Sequence, residues 1–202
     1  NPNQPVEDPL SIDQIAEISK RCSDNGTLLV IDEAYYMFGC ETAIGLVKDY
    51  DNLVILRTFS KGFGVPGIRL GYMVSNSENI DHFSKTRFAY ESNSLSDAVG
   101  EYLLDNLDIV NDYIKKVHEG RNYLNNELSK LGFNCNGNVG NYLLIDFGSK
   151  EKCKYYASEL EERKIHVKAN YSDEWGKYML VTLGPKETLV PFIDVIKSSF
   201  IL

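Results

Sequence analysis

The stretch Leu53-Val54-Ile55-Leu56-Arg57-Thr58-Phe59-Ser60-Lys61-Gly62-Phe63-Gly64-Val65-Pro66-Gly67-Ile68-Arg69 decides how this chain is read. Four consecutive apolar residues, Leu53 to Leu56, predict a buried strand. The strand leads to a lysine set among hydroxyls and glycines, with an arginine eight positions further on. That combination supplies both halves of a site for a phosphorylated aldehyde. Lys61 would form a Schiff base with the aldehyde, while the hydroxyls, the glycine amides and Arg69 would hold the phosphate. The expected cofactor is therefore pyridoxal 5'-phosphate. Gly62, Gly64 and Gly67 also fit the spacing of a dinucleotide fingerprint. Pro66 interrupts that pattern, and a strand is expected where the fingerprint needs a helix.

Working outward, Ser11 with Gln14 forms a capping box ahead of Ile12, Ile15 and Ile18 at helical spacing, and Asn25-Gly26 closes that helix. Leu28 to Ile31 read as a buried strand delivering Asp32 at its C-terminal end. A third strand is expected around Arg69 to Val74. Ligands of open α/β sheets sit outside the carboxyl ends of the strands, so Asp32 and Lys61 can face one crevice. A pyridoxal enzyme needs a lysine to hold the cofactor and move protons, an acid to keep the pyridine nitrogen protonated, and a donor to the ring hydroxyl. Lys61, Asp32 and Tyr35 can fill those roles in turn.

Downstream, Val99, Leu103, Leu107, Val110, Ile114, Val117, Leu124, Leu128 and Leu131 keep steps of three, four or seven residues. They predict a long connecting helix over 96–131, bent or broken near Asn106 or Asn111. Beyond Gly132 the pattern changes to strands at Tyr142 to Phe147, Ile165 to Lys168 and Tyr178 to Leu183, with helices at Lys150 to Arg163 and Lys186 to Phe200. The expected organisation is an α/β part over 1–95, the connector, and a small α+β domain over 132–202.

Composition narrows the function classes. With 202 residues, 43% hydrophobic and 25% charged, the chain can bury one core or two small ones. A net charge of -8 argues against a nucleic-acid or anionic-membrane surface, which would need a basic patch. Cys22, Cys40, Cys135 and Cys153 show no CxxC spacing, and His82, His118 and His166 no ligand motif, so no metal site is expected. No signal peptide opens the chain and no apolar stretch is long enough to span a bilayer, which points to the cytoplasm. The opening Asn1-Pro2-Asn3-Gln4-Pro5, without an initiator methionine, reads as the interior of a longer protein.

Asn1-Pro2-Asn3-Gln4-Pro5, then Asp32-Glu33-Ala34-Tyr35, then Thr58 through Arg69 followed by Leu70-Gly71-Tyr72, resemble the class I/II aminotransferases in order and spacing, and most closely the histidinol-phosphate aminotransferase branch. The resemblance covers almost the whole chain and begins inside that family's large domain. It implies the fold-type I α/β architecture, here the C-terminal half of the large domain plus the small α+β C-terminal domain. It also implies a homodimer with active sites at the subunit interface, and an amino donor and a 2-oxo acid acceptor as substrates. By the same resemblance Lys61 carries the cofactor, Asp32 partners the pyridine nitrogen and Tyr35 donates to the ring hydroxyl. Thr58, Ser60 and Arg69 match phosphate-binding positions, and Gln4 stands where an asparagine touches the ring hydroxyl. Asn141 is a candidate for the substrate pocket.

Two departures accompany the resemblance. The family usually writes Asn-Pro-Asn-Asn-Pro-Thr-Gly where this chain has Gln4, then Val6 and Glu7; Gln4 keeps the amide but reaches one methylene further. In the last strand, Leu180 occupies the position at which an arginine commonly clamps the substrate's carboxylate or phosphate. Leucine cannot make that bidentate contact, so Lys168 is the candidate replacement cation. An aminotransferase is the expected activity, with the piece represented here a poor catalyst alone. A decarboxylase or lyase of an amino acid or amino-acid phosphate and a non-catalytic binding module are the alternatives.

Overall fold

The computed structural model describes residues 1–199; Phe200, assigned above to the last helix, lies outside the described residues. The chain forms two compact units. The first comprises Asn1–Asn3 and Asp8–Asp112, the second Gln4–Glu7 and the described residues from Tyr113 onward.

In the first unit α1 (Ile12–Asp24) opens on the Ser11 capping box: Ser11 Oγ accepts from Gln14 N–H, and the Gln14 side chain accepts from Ser11 N–H at 2.9 Å. Strands β1 (Leu29–Asp32) and β2 (Leu53–Thr58) pair in parallel, with Asp32 opposite Leu56. Strand β3 (Gly71–Val74) returns antiparallel to β2, giving the order β1-β2-β3. Ile15 of α1 packs on the sheet face formed by Ile31, Leu53 and Ile55, with Ala43 beside them. Each such side chain contributes roughly 1.5–3 kcal/mol by leaving water.

The apolar run Leu28 to Ile31 predicts a buried strand. Instead Leu28 and Val30 are 43% and 48% exposed, because α1 covers one face of the sheet. Asp32 shares the exposed face with Val30 by the two-residue alternation of a strand. After β3 come α2 (Ser77–Ser84) and α3 (Ser94–Asp105). Asn106 leaves the helical region, and its side chain donates to Tyr102 O at 2.7 Å, taking a carbonyl of the last turn. The expected long connector is thus two helices, α3 and α4 (Leu107–Lys130), and the two units divide within α4.

The second unit holds the antiparallel sheet β4-β5-β6, made of β4 (Asn134–Asn136), β5 (Tyr142–Asp146) and β6 (Tyr178–Thr182). Helices α5 (Lys150–Glu162) and α6 (Lys186–Ser198) contribute Cys153, Tyr156, Leu160, Phe192 and Ile193 to the buried interior. The strand expected at Ile165 to Lys168 is absent. Only Lys168 pairs, in an isolated bridge to Leu180, while His166 is exposed and its Nδ1 lies 3.2 Å from Glu161. Ile165 and Val167 are only half-buried, and no residue of that segment reaches the buried interior. Among the described residues no helix is long and apolar enough to cross a membrane.

Gly120 on α4 fixes a close approach, since a Cβ there would fall 2.0 Å from the carbonyl oxygen of Gly184. Gly120→Ala is expected to lower stability by about 1–3 kcal/mol from overpacking, although helix propensity alone favours alanine by roughly 1 kcal/mol. Urea unfolding of the variant beside the parent checks the sign: a gain in stability would show that the backbone approach is not tight.

Candidate cofactor site

Because β1 and β2 are parallel and in register, their carboxyl ends emerge on the same side of the sheet. Asp32 is the last residue of β1, and its Oδ1 accepts from Ala34 N–H at 2.9 Å. This local turn swings the chain out of the strand and places Tyr35 at the start of a short 3-10 turn, with its ring buried. Lys61 lies three residues beyond Thr58, the last residue of β2. Its Nζ is 5.5 Å from the centroid of the Tyr35 ring, within cation–π range. Burial, reinforced by the Asp32 charge, pushes the Tyr35 hydroxyl above its ordinary pKa, so it stays protonated and able to donate.

The loop after β2 is held by its own hydroxyls and amides. Thr58 Oγ1 accepts from Ser60 N–H at 3.1 Å, Phe59 N–H donates to Leu70 O at 3.0 Å, and Gly64 N–H donates to Lys61 O at 3.0 Å. Gly62 follows Lys61 because a Cβ there would sit 2.5 Å from Met37 Sδ, on the segment just after Tyr35. The loop and the Tyr35 segment are therefore packed together. Arg69 sits at φ 55, and its Nη1 donates to Pro66 O at 3.2 Å. Among the described residues none of Asp32, Lys61 and Arg69 takes part in an ion pair, so one carboxylate and two cations remain available to a ligand.

Beneath this surface lies a support that sequence reasoning missed. Glu33, fully buried, accepts from Arg57 Nε at 3.0 Å, Arg57 Nη2 at 2.9 Å and Thr42 Oγ1 at 2.8 Å, and its other oxygen accepts from Ala43 N–H. The Arg57 guanidinium lies 3.7 Å from the Tyr36 ring centroid. Burial and the neighbouring Tyr72 push the Tyr36 hydroxyl up to about 12. Burial works against the Arg57 charge, but bonds to Tyr72 and Glu33 more than offset it. The signal was an arginine inside the apolar run Leu53 to Leu56 and its extension to Thr58: a charge in a strand at a sheet centre needs a buried partner.

The remaining candidates belong to the second unit. Gln4 groups there with Pro5, Val6 and Glu7. Asn141 is buried and its carbonyl accepts from Leu183 N–H at 2.7 Å. Lys168 is exposed, pairs by backbone with Leu180 in both directions, and carries its Nζ 5.1 Å from the Tyr171 ring centroid. In the first unit, a cleft of about 760 Å³ is lined by Leu56, Arg69, Met73, Phe83 and Arg87. Asp32, Tyr35 and Lys61 are not on its wall, and their chemistry rather than its size marks the site.

The family model for aminotransferase class I and II matches residues 1–196. The chain belongs to the class I and II aminotransferases. This is a pyridoxal-phosphate-dependent family, and within it the similarity lies with the histidinol-phosphate aminotransferase branch. Histidinol-phosphate aminotransferase 1 of Carboxydothermus hydrogenoformans is 36% identical over 187 residues, which cover 93% of this chain and 52% of that protein. The crystal structure of histidinol-phosphate aminotransferase from Sinorhizobium meliloti in complex with pyridoxal-5'-phosphate aligns with a TM-score of 0.85 at 20% identity, over 99% of this chain and 54% of that one. A decarboxylase from Sulfurospirillum multivorans aligns with a TM-score of 0.82 at 23% identity, over 100% of this chain and 60% of that one. This aminotransferase-family chain thus has the fold-type I α/β architecture and spans about half the length of the curated relatives it matches.

Proposed function

We propose that the complete protein is a pyridoxal-phosphate-dependent aminotransferase acting on an amino acid or amino phosphate, a reading supported by its similarity to proteins named histidinol-phosphate aminotransferase. The single observation that carries this reading is the amine of Lys61 set against the buried Tyr35 ring, three residues after Asp32, at the carboxyl ends of two parallel strands. The donor set fits the cofactor. Among the described residues Lys61 and Asp32 take part in no ion pair, Tyr35 is a phenol whose pKa burial raises, and Arg69 is a guanidinium at the end of the segment that carries the hydroxyls of Thr58 and Ser60.

When bound, pyridoxal phosphate supplies an electrophilic aldehyde and an electron-withdrawing ring that acidifies the α-proton of an amino substrate. Lys61 Nζ is the amine that would hold the cofactor's aldehyde carbon, and the same amine, when free, would carry the proton away from the substrate's Cα. The Asp32 carboxylate favours a proton on the pyridine nitrogen by charge pairing. Tyr35 would donate its hydroxyl hydrogen to the ring oxygen. Thr58, Ser60 and Arg69 anchor the phosphate, with Arg69 offering the planar fork that suits phosphate oxygens.

The test is borohydride reduction of the complete protein with pyridoxal phosphate, followed by peptide mass mapping. A pyridoxyl group on Lys61 is the expected result; its absence from Lys61 overturns the assignment.

Leu180 favours a second reading within the same cofactor class. It is 7% exposed within β6, where the family's arginine would clamp an anion, and Lys168 is the cation paired across from it on the same sheet face. A lysine is a single point charge rather than a fork, so the substrate's anionic group is held less rigidly. A decarboxylase, in which the α-carboxylate leaves, tolerates that change. Substrate screening separates the two: transamination turns a 2-oxo acid into a new amino acid, whereas decarboxylation releases carbon dioxide without an acceptor.

A further inference from the structure

The loop from β4 to β5 contains Gly137-Asn138-Val139-Gly140, and three successive amides along it meet one carboxylate. Glu7 Oε2 accepts from the N–H groups of Asn138 and Val139, the latter at 2.8 Å, and Glu7 Oε1 accepts from Gly140 N–H at 2.6 Å. Behind the loop stands Arg121 of α4, only 8% exposed, which donates to the carbonyl oxygens of Asn138 and Gly140. The N–H and C=O of one planar peptide unit point in opposite directions. Drawing the Asn138 carbonyl toward Arg121 therefore turns the Val139 N–H toward Glu7.

Two further observations show that the arrangement is built rather than incidental. A Cβ on Gly140 would lie 2.4 Å from the Tyr142 ring and 2.9 Å from Glu7 Oε1, and one on Gly137, whose φ is +142, would lie 2.6 Å from Tyr142 O. Side chains are excluded at both ends of the cradle. The Arg121 Nε is buried with no hydrogen-bond partner among the described residues, and its Nη1 lies 3.0 Å from Nδ1 of His118, which must accept there. Burial pushes the Arg121 pKa down, and the negative charge of Glu7 opposes that change.

We propose that the Gly137–Gly140 loop, braced by Arg121, is an anion cradle for a carboxylate group, and that Glu7 is its resident ligand, fastening the Gln4–Glu7 segment in place. Convergent amides in a glycine-flanked loop form an anion-binding concavity. The chemical class it takes is a monocarboxylate, with one oxygen on two amides and the other on a third. Glu7 is separated from its partners by more than 130 residues. The inference stands on the second unit alone and is independent of the cofactor reading.

Hydrogen–deuterium exchange on the peptide covering Asn138–Tyr142, measured in the complete protein, tests it. Glu7→Ala is expected to speed exchange at the Asn138, Val139 and Gly140 amides by roughly tenfold or more, since charge-assisted bonds are the stronger ones. Sodium formate should restore protection saturably, and sodium chloride at the same ionic strength should not. Where the alanine variant does not fold, Glu7→Gln carries the test: it keeps the shape but not the charge, and its loop amides should exchange faster than the parent's. Unchanged protection in the variant, or equal restoration by chloride, overturns the proposal.

Discussion

Lys61→Ala is expected to lower kcat of the complete protein by roughly 10⁴-fold, the upper range for loss of a positioned acid–base group that is also the covalent anchor. The argument rests on what surrounds the amine. Lys61 is bound to no carboxylate among the described residues, and Tyr35 and Asp32 can orient a ring but cannot replace a nucleophile. Arg69, Thr58 and Ser60 are untouched by the substitution, so the cofactor phosphate should still be held and the loss should fall on kcat more than on cofactor retention. Lys61→Arg keeps the positive charge but holds its proton far above neutral pH, and is expected to be about as inactive as the alanine variant. Stopped-flow turnover with an amino substrate checks both. A kcat within tenfold of the parent in Lys61→Ala would remove Lys61 from the chemistry.

What the sequence revealed of this site, and what it hid, follows from how local each feature is. Leu53 to Leu56 and Leu28 to Ile31 read as strands because their apolar runs are contiguous, and parallel pairing then delivers Asp32 and the Lys61 loop to one sheet end. The Ser11 capping box was legible because both hydrogen bonds span three residues. By contrast, β4 is three residues, Asn134–Asn136, with no hydrophobic pattern, and exists only because β5 pairs with it. The Ile165 to Lys168 segment has strand-like residues, yet a single bridge to Leu180 is all that tertiary context allows. The supports of the site were hidden for a similar reason. Glu33 and Arg57 are 24 residues apart, and Glu7 lies far in sequence from its loop amides; charge pairing at such separations leaves no periodic trace.

Breaking the Glu33–Arg57 pair is the second large effect expected, and it reaches the site through the peptide that joins Asp32 to Ala34. The side chains of Arg57 and Glu33 are 9% and 0% exposed, so neither charge has water to fall back on. Arg57→Met is expected to destabilise the protein by about 3–5 kcal/mol, because it strands a buried carboxylate. Glu33 also accepts from Thr42 Oγ1 and Ala43 N–H, which fix the loop after β1, so the damage should spread to the turn bearing Tyr35. A double variant, Glu33→Gln with Arg57→Met, removes both charges while leaving an amide oxygen for Ala43 N–H, and should recover more than half of the loss. Urea unfolding of the complete protein measures the global cost, and amide exchange at Ala43 reports the local one. If Arg57→Met costs less than about 1 kcal/mol and leaves Ala43 protected, the pair behaves like an exposed ion pair, and Asp32 and Tyr35 are held by the backbone turn alone.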